Sequence, residues 1–321
     1  MRGWLAGYLI GWLFWLSLSL GSVALLQLHA LTGGRWGRAW RGTWEAAARA
    51  MPALAVLFLP ILAGVWRLYP WAAEGRGYLS APWFAARALL YLAVWTGLAA
   101  AVARPAAGKP AFSERRPTLA GGAGLVAYFL TATFASIDWM MSLEPGWGST
   151  VYGLSFVAGQ GVSALALAAL LARPGAEDDG GARRDLGNLM LAFVMLWAYC
   201  AYSQYLIVWS ADLPAERGWY LARARGGWGW VAAGLAAGHF AAPFALLLFR
   251  GVKDRARTLA LVAAVLLAGR GVDLWWLLAP SLSPGRVALA GAAALGLLLV
   301  GFAWTALFSR ERRRRLAWEA A

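Results

Sequence analysis

Apolar positions along the chain run in long unbroken stretches separated by short polar connections. Nine stretches are long enough to cross a bilayer, at 4–31, 51–70, 82–103, 118–141, 150–172, 187–209, 228–249, 258–278 and 286–308. A membrane helix needs about 20 such residues. Barrel strands would be about ten residues long and would alternate. These stretches do neither, so the pattern predicts an all-α, polytopic protein with about nine transmembrane helices. The first stretch is too long for the apolar region of a signal peptide, which spans about 7–15 residues. No loop is long enough to fold alone, so residues 1–321 read as a single integral membrane domain.

Composition sharpens this. The 321 residues are 61% hydrophobic and 14% charged, with mean hydropathy +0.58. A soluble domain carries about a quarter charged residues, so an ordinary water-soluble enzyme and a disordered protein are both excluded. Net charge is +14, but the positive residues lie between apolar stretches. They point to a membrane surface and not to nucleic acid. One cysteine, Cys200, excludes an internal disulfide and an iron–sulfur cluster held by this chain alone. The two histidines, His29 and His239, lie on the first and seventh stretches. A bis-histidine haem would consume both, and any redox centre is expected in another chain. No metal site is expected.

Lys and Arg set the orientation. The odd loops and the C-terminal tail hold 20 of them, while the N-terminus and the even loops hold 6. The positive-inside rule then puts the C-terminus in the cytoplasm and the N-terminus outside, as expected for the bacterial inner membrane. Trp4, Trp36, Trp71, Trp83, Trp139, Trp147, Trp209, Trp228, Trp275 and Trp304 fall near span ends and read as an aromatic belt. The 173–186 and 210–227 loops read as connections.

Polar residues within spans are costly, about 2.5–3.5 kcal/mol for a charge on insertion scales, so they come first as candidates. Arg67 and Arg87 lie near span ends and are expected to snorkel. Arg270 and Asp273 share one face of the eighth span, about 12 Å and 7 Å below its outer end. They form either a self-neutralising pair or the lining of a polar path. Asp138, about 5 Å deep in the fourth span, is either an interfacial carboxylate or the opening of a proton path. His239 is about 17 Å deep in the seventh span. Pro243, four residues on, frees the His239 carbonyl, which suits a proton relay. Tyr199, Tyr202 and Ser203 can share one face of the sixth span, as relay or as helix-to-helix glue. Tyr128, Thr131 and Thr133 are read in the same way. His29 is expected to close the first span. If the fourth, seventh and eighth spans are neighbours, then Asp138, His239, Arg270 and Asp273 would line one outer half-channel.

Several strings also resemble a known family. They are Leu28–Gly37 (LHALTGGRWG), Ser136–Pro145 (SIDWMMSLEP) followed by Ser149–Gly153 (STVYG), Phe193–Tyr199 (FVMLWAY), Ser203–Ser210 (SQYLIVWS), Gly238-His239-Phe240 with Pro243-Phe244, and Asp273. The chain resembles, over roughly residues 8–280, the ActF-type membrane subunit of bacterial alternative complex III. That complex is a quinol:cytochrome c (or high-potential acceptor) oxidoreductase, and the subunit is related to the NrfD/polysulfide-reductase membrane subunits. The resemblance implies an NrfD-like bundle that binds no cofactor of its own. It implies a sister NrfD-like membrane subunit, and iron–sulfur and c-type haem subunits, as partners. It also implies a non-catalytic role, offering a proton route while quinol is oxidised in the sister subunit. Asp138, His239 and Asp273 are the positions carried over, with Arg270 beside them and Tyr199, Tyr202, Ser203 and Ser136 as polar support. Gly146 stands where relatives often have a histidine after the Glu-Pro pair, so that histidine's role is absent. The family usually has a tenth span, so a further N-terminal helix is expected in a full-length member.

Three other functions remain open at this stage. The chain could bind quinol directly, with His239 and Asp138 or Asp273 sharing the hydroxyl protons. It could be a scaffold whose charges are static. It could be a secondary transporter, although no inverted repeat is evident.

Overall fold

The computed structural model describes residues 2–73, 75, 77–103, 118–172, 181–282 and 286–319. Among them there are helices and no strands. Among the described residues nine helices are long and apolar enough to cross a membrane, so the protein is an all-α, polytopic membrane protein. We label the helices α1 (Arg2–Thr32), α2 (Arg41–Ala63), α3 (Ala81–Val102), α4 (Thr118–Trp139), α5 (Tyr152–Leu170) and α6 (Gly181–Ala211). After them come a short α7 (Pro214–Ala224) and the spans α8 (Trp228–Leu248), α9 (Ala256–Leu282) and α10 (Arg286–Glu319). The two ends of the bundle are called here the N-face and the C-face, after the terminus each carries.

Ion pairs and carbonyl contacts fix the alternation. At the C-face, Arg49 at the end of the first segment of α2 donates to Ala103 O after α3 and to Glu311 of α10, and Arg312 donates to Leu171 O after α5. At the N-face, the segment that follows α2 meets the end of α4, where the Tyr69 hydroxyl donates to Trp139 O.

The core sits on α1 and α5. In α1, 83% of the most apolar stretch is buried, and in α5 78%; no other span exceeds 44%. A helix apolar on all sides belongs in the interior. Helix α1 packs against α10 at Gly7 and Gly11, whose missing side chains admit the α10 backbone at Ala292 and Gly296. Small residues four apart let membrane helices approach this closely.

Helix α2 is broken into Arg41–Ala48, Met51–Val56 and Leu59–Ala63, with Pro52 and Pro60 opening the second and third segments. Within it, the Phe58 N–H turns to Ala55 O and the Ile61 N–H to Phe58 O. That releases the carbonyls of Leu54 and Leu57. A carbonyl without a partner in hydrocarbon is expensive, and α1 supplies both partners. Trp12 Nε1 donates to Leu54 O at 2.9 Å and the Tyr8 hydroxyl to Leu57 O at 2.7 Å.

Three expectations from the sequence change here. The second span begins at Arg41 and not at 51, because Glu45 is neutralised one turn along by Arg41 at 2.6 Å and does not end the helix. The 210–227 connection contains α7, with Pro214 in its first turn, Glu216 near its start and Arg223 near its end, as the helix dipole favours. The aromatic belt is only partial. Trp4, Trp83 and Trp209 are exposed, but Trp71, Trp139, Trp147, Trp228 and Trp304 are buried. Trp139 is packed among Trp12, Phe58, Tyr91 and Trp95. Of the 173–186 loop, residues 173–180 lie outside the described residues, and the rest is already helical.

Candidate functional site

Three groups of buried charges bear on the candidate site. The first joins α3 to α4. Arg87 donates twice to Asp138, from Nε at 2.8 Å and from Nη2 at 3.0 Å, and the Tyr91 hydroxyl adds a third bond at 2.9 Å. The third Arg87 nitrogen donates to Tyr78 O, and the guanidinium lies 3.8 Å from the Tyr78 ring centre. Asp138 is fully buried. A paired, bidentate carboxylate of this kind is a brace. Arg87 therefore does not snorkel as expected; it turns inward because Asp138 is there to receive it. Arg67 is exposed. Ser136 donates back to Thr133 O, one turn earlier on its own helix.

The second group lies on α9, deep in the bundle. Arg270 Nη1 donates to Asp273 Oδ2 at 2.6 Å, and both are buried. Because α9 continues to Leu282, the pair lies deeper than the sequence suggested, at about 14 Å for Asp273 and about 18 Å for Arg270 from the helix end. Arg270 is otherwise loosely held. Its Nη2 reaches Ser17 of α1 only at 3.5 Å, and its Nε has no partner among the described residues. The guanidinium lies over Gly159 of α5, where a side chain would displace it.

His239 is beside this pair. Its ring lies against Gly269, the residue before Arg270, and meets Trp197 edge-on at 4.5 Å. Neither His239 ring nitrogen has a partner among the described residues. The fault expected ahead of Pro243 is present as a π-helical stretch, Leu235–Ala241, that contains this histidine. Such insertions recur at functional sites.

The third group closes the N-face. Arg223 of α7 is buried and donates to Glu144 at 3.2 Å, to Trp219 O at 3.1 Å, to Leu277 O at 2.6 Å and to Ser281 at 2.9 Å. Ser281 also bonds Glu144. The guanidinium stacks on Trp219, 3.5 Å from its ring centre. Burial pulls Arg223 below its ordinary pKa, and the Glu144 carboxylate opposes that pull. The half-buried Tyr220 phenol is pushed up to about 12 by its partial burial.

Between α6, α7, α8 and α9 lies a cavity of about 1060 Å³. Trp219, Tyr220 and Arg223 border it on α7, Trp197 and Gln204 on α6, and Asp273 and Trp276 on α9. Tyr199 and Tyr202 border it too and are largely exposed, at 65% and 62%. They share a face, as expected, but that face is turned away from the bundle, so they do not glue its helices together. Ser203 is half-buried beside them.

The half-channel expected from four residues is therefore two separate structures. His239, Arg270 and Asp273 come together. Asp138 belongs to the brace, because its carboxylate points into α3. His29 caps the C-face end of α1, with Nε2 3.0 Å from Gly34 O. Its ring touches Trp36 and Gly37, whereas His239 touches Trp197 and Gly269. No group of three or more His, Cys, Asp or Glu that could hold a metal occurs among the described residues.

Sequence reasoning overlooked Arg223, Trp197, Trp219 and Trp276. The signal for Arg223 was available: Trp219 and Arg223 are four residues apart in a segment with proline at its start and acid-to-base polarity. No family model matches the chain, and a search of curated proteins finds no significant match.

Proposed function

We propose that this protein is the energy-coupling membrane subunit of a quinol-oxidising respiratory complex of the alternative complex III kind. In this reading the Arg270–Asp273 pair moves protons while quinol is oxidised in a sister NrfD-like subunit. Iron–sulfur and c-type haem chains of the same complex carry the electrons. The complex lies in the bacterial inner membrane, with this chain's C-terminus in the cytoplasm. The family likeness of the strings around Asp138, Phe193–Tyr199 and Ser203–Ser210 supports the setting, and the 20-to-6 division of basic residues supports the orientation.

One observation carries the proton role. Asp273 is a buried carboxylate deep in a span, it borders an open cavity, and its arginine is only partly satisfied. Ionisable groups within spans mark ion paths. Asp273 takes a proton from the cavity side when Arg270 swings toward Ser17, and gives it up when the pair closes again. His239, against the same stretch of α9, accepts or returns that proton through its free ring nitrogens.

The test is the proton-to-electron ratio of the assembled complex in sealed vesicles. The reading predicts a lower ratio for Asp273→Asn and for His239→Ala, with electron transfer continuing. An assembled Asp273→Asn complex with the unaltered ratio would overturn it.

A further inference from the structure

The apolar run of α10 passes directly into basic residues, Arg310 and Arg312–Arg315, and the helix continues through them to Glu319. Fixing the orientation of a membrane protein needs only the number of such charges. Their arrangement around the helix says more.

The exposed side of α10 is one stripe. Leu295, Leu299, Phe302, Ala306, Arg310 and Arg313 are all exposed, at spacings of three and four. Leu295 and Arg313 are five turns apart at about 3.6 residues per turn, so they point in the same direction. The opposite side carries Val300 and Trp304, which are buried, and the Trp304 indole donates to Ser19 of α1.

The apolar part of the stripe, from Leu295 to Ala306, is about 16 Å long. That is about half of a hydrocarbon core of about 30 Å, or one leaflet. Arg310 and Arg313 follow about 6 Å and 10 Å beyond it. Side chains on a helix lean toward its N-terminus, which here is back toward the bilayer. Both arginines are therefore carried to the depth of the lipid phosphates.

No carboxylate of the chain answers these two charges. Among the described residues neither Arg310 nor Arg313 has an ion-pair partner. The adjacent acid, Glu311, is held by Arg49 of α2 and shared by Arg314. A guanidinium takes a phosphate as readily as a carboxylate, through paired N–H bonds. A zwitterionic head group brings its own cation to the same place, whereas an anionic one does not. An acidic protein segment would meet the arginines but not the apolar stripe beneath them. A phospholipid meets both at once.

We infer that the exposed side of α10 binds an anionic glycerophospholipid of the C-face leaflet. Its acyl chain lies along Leu295–Ala306 and its phosphate sits at Arg310 and Arg313. The inference uses no residue of the proton site and does not depend on that reading.

The experiment takes the full chain, with any chain that accompanies it, from native membranes into lipid nanodiscs. Two photoreactive probes carry the reactive group at the same acyl position, one on phosphatidylglycerol and one on phosphatidylcholine. An arginine near an anionic surface is worth about fivefold in affinity. The phosphatidylglycerol probe is therefore expected to label Leu299–Ala306 on the order of 10-fold more strongly than the phosphatidylcholine probe. Arg310→Gln with Arg313→Gln is expected to bring the two close to parity, with phosphatidylcholine labelling unchanged. Arg310→Lys with Arg313→Lys, which keeps the charge, is expected to retain most of the preference. Unlabelled phosphatidylglycerol should compete, and inorganic phosphate at the same phosphorus concentration should not.

Equal labelling by the two probes in the unmodified chain would overturn the inference, and that comparison stands whether or not the glutamine variant inserts. So would a preference that survives Arg310→Gln with Arg313→Gln, or displacement by inorganic phosphate. A crosslink from the stripe to a neighbouring chain, with neither lipid probe captured, would overturn it as well.

Discussion

Two arginine–aspartate pairs are buried in this bundle, and they are built differently. Arg87–Asp138 joins two helices, α3 and α4, through two guanidinium bonds, with Tyr91 as a third donor to the same carboxylate. Arg270–Asp273 lies within one helix and rests on one short bond. Its arginine has a long contact to Ser17, and among the described residues one nitrogen of that arginine and both ring nitrogens of its neighbour His239 have no partner, while its carboxylate borders a cavity. A buried pair must recover the cost of leaving water through its own bonds. The first pair does so completely and has one stable arrangement. The second leaves bonding capacity free, which a group that exchanges protons requires. In the sequence only the second is recognisable as a pair; Arg87 and Asp138 are separate charges on two different spans.

The largest expected effect follows from removing one half of the brace. Asp138→Ala leaves Arg87 facing a tryptophan-rich core, and breaking such a pair costs about 3–5 kcal/mol. Assembled protein in membranes should fall sharply, while proton coupling per surviving complex stays unchanged. Coupling lost in correctly assembled Asp138 variants would erase the contrast between the pairs.

Replacing both members together separates stability from function. Arg270→Met with Asp273→Leu should change stability by no more than about 1–2 kcal/mol, because apolar replacement of a whole buried pair is often neutral. Proton coupling should nevertheless be lost. Arg87→Met with Asp138→Leu should retain it. Measuring unfolding and coupling on the two double variants side by side checks both halves of the statement.

A smaller effect is expected at the N-face. Glu144→Gln keeps an oxygen for Arg223 and Ser281 but removes the charge that opposes the cost of burying Arg223. A loss of about 1–2 kcal/mol is expected, together with faster protease cleavage near α7. Unaltered cleavage would mean that α7 is held by its aromatic contacts with Trp147 and Trp276 instead.

The spans were legible because continuous apolar length is a direct physical requirement of the bilayer. Their ends were less so. Arg41 and Glu45 look like loop residues until their mutual pairing is seen, and that pairing is local enough to have been inferred. Within the site, the Arg270–Asp273 contact was legible from its spacing of three. The join of His239 to Gly269 and Trp197 depends on how α6, α8 and α9 pack, which no local pattern encodes. The same holds for Asp138. Its partner Arg87 is 51 residues away, and nothing in either string names the other. Two tyrosines on one face of α6 were visible in the sequence; which way that face turns was not.

The most direct test of the central claim is infrared difference spectroscopy of the assembled complex between its oxidised and reduced states. A band from a carboxyl group changing protonation should be present in the unmodified complex. It should persist in Asp138→Asn and vanish in Asp273→Asn. The same band surviving in Asp273→Asn, or disappearing in Asp138→Asn, would contradict the assignment of proton exchange to the α9 pair.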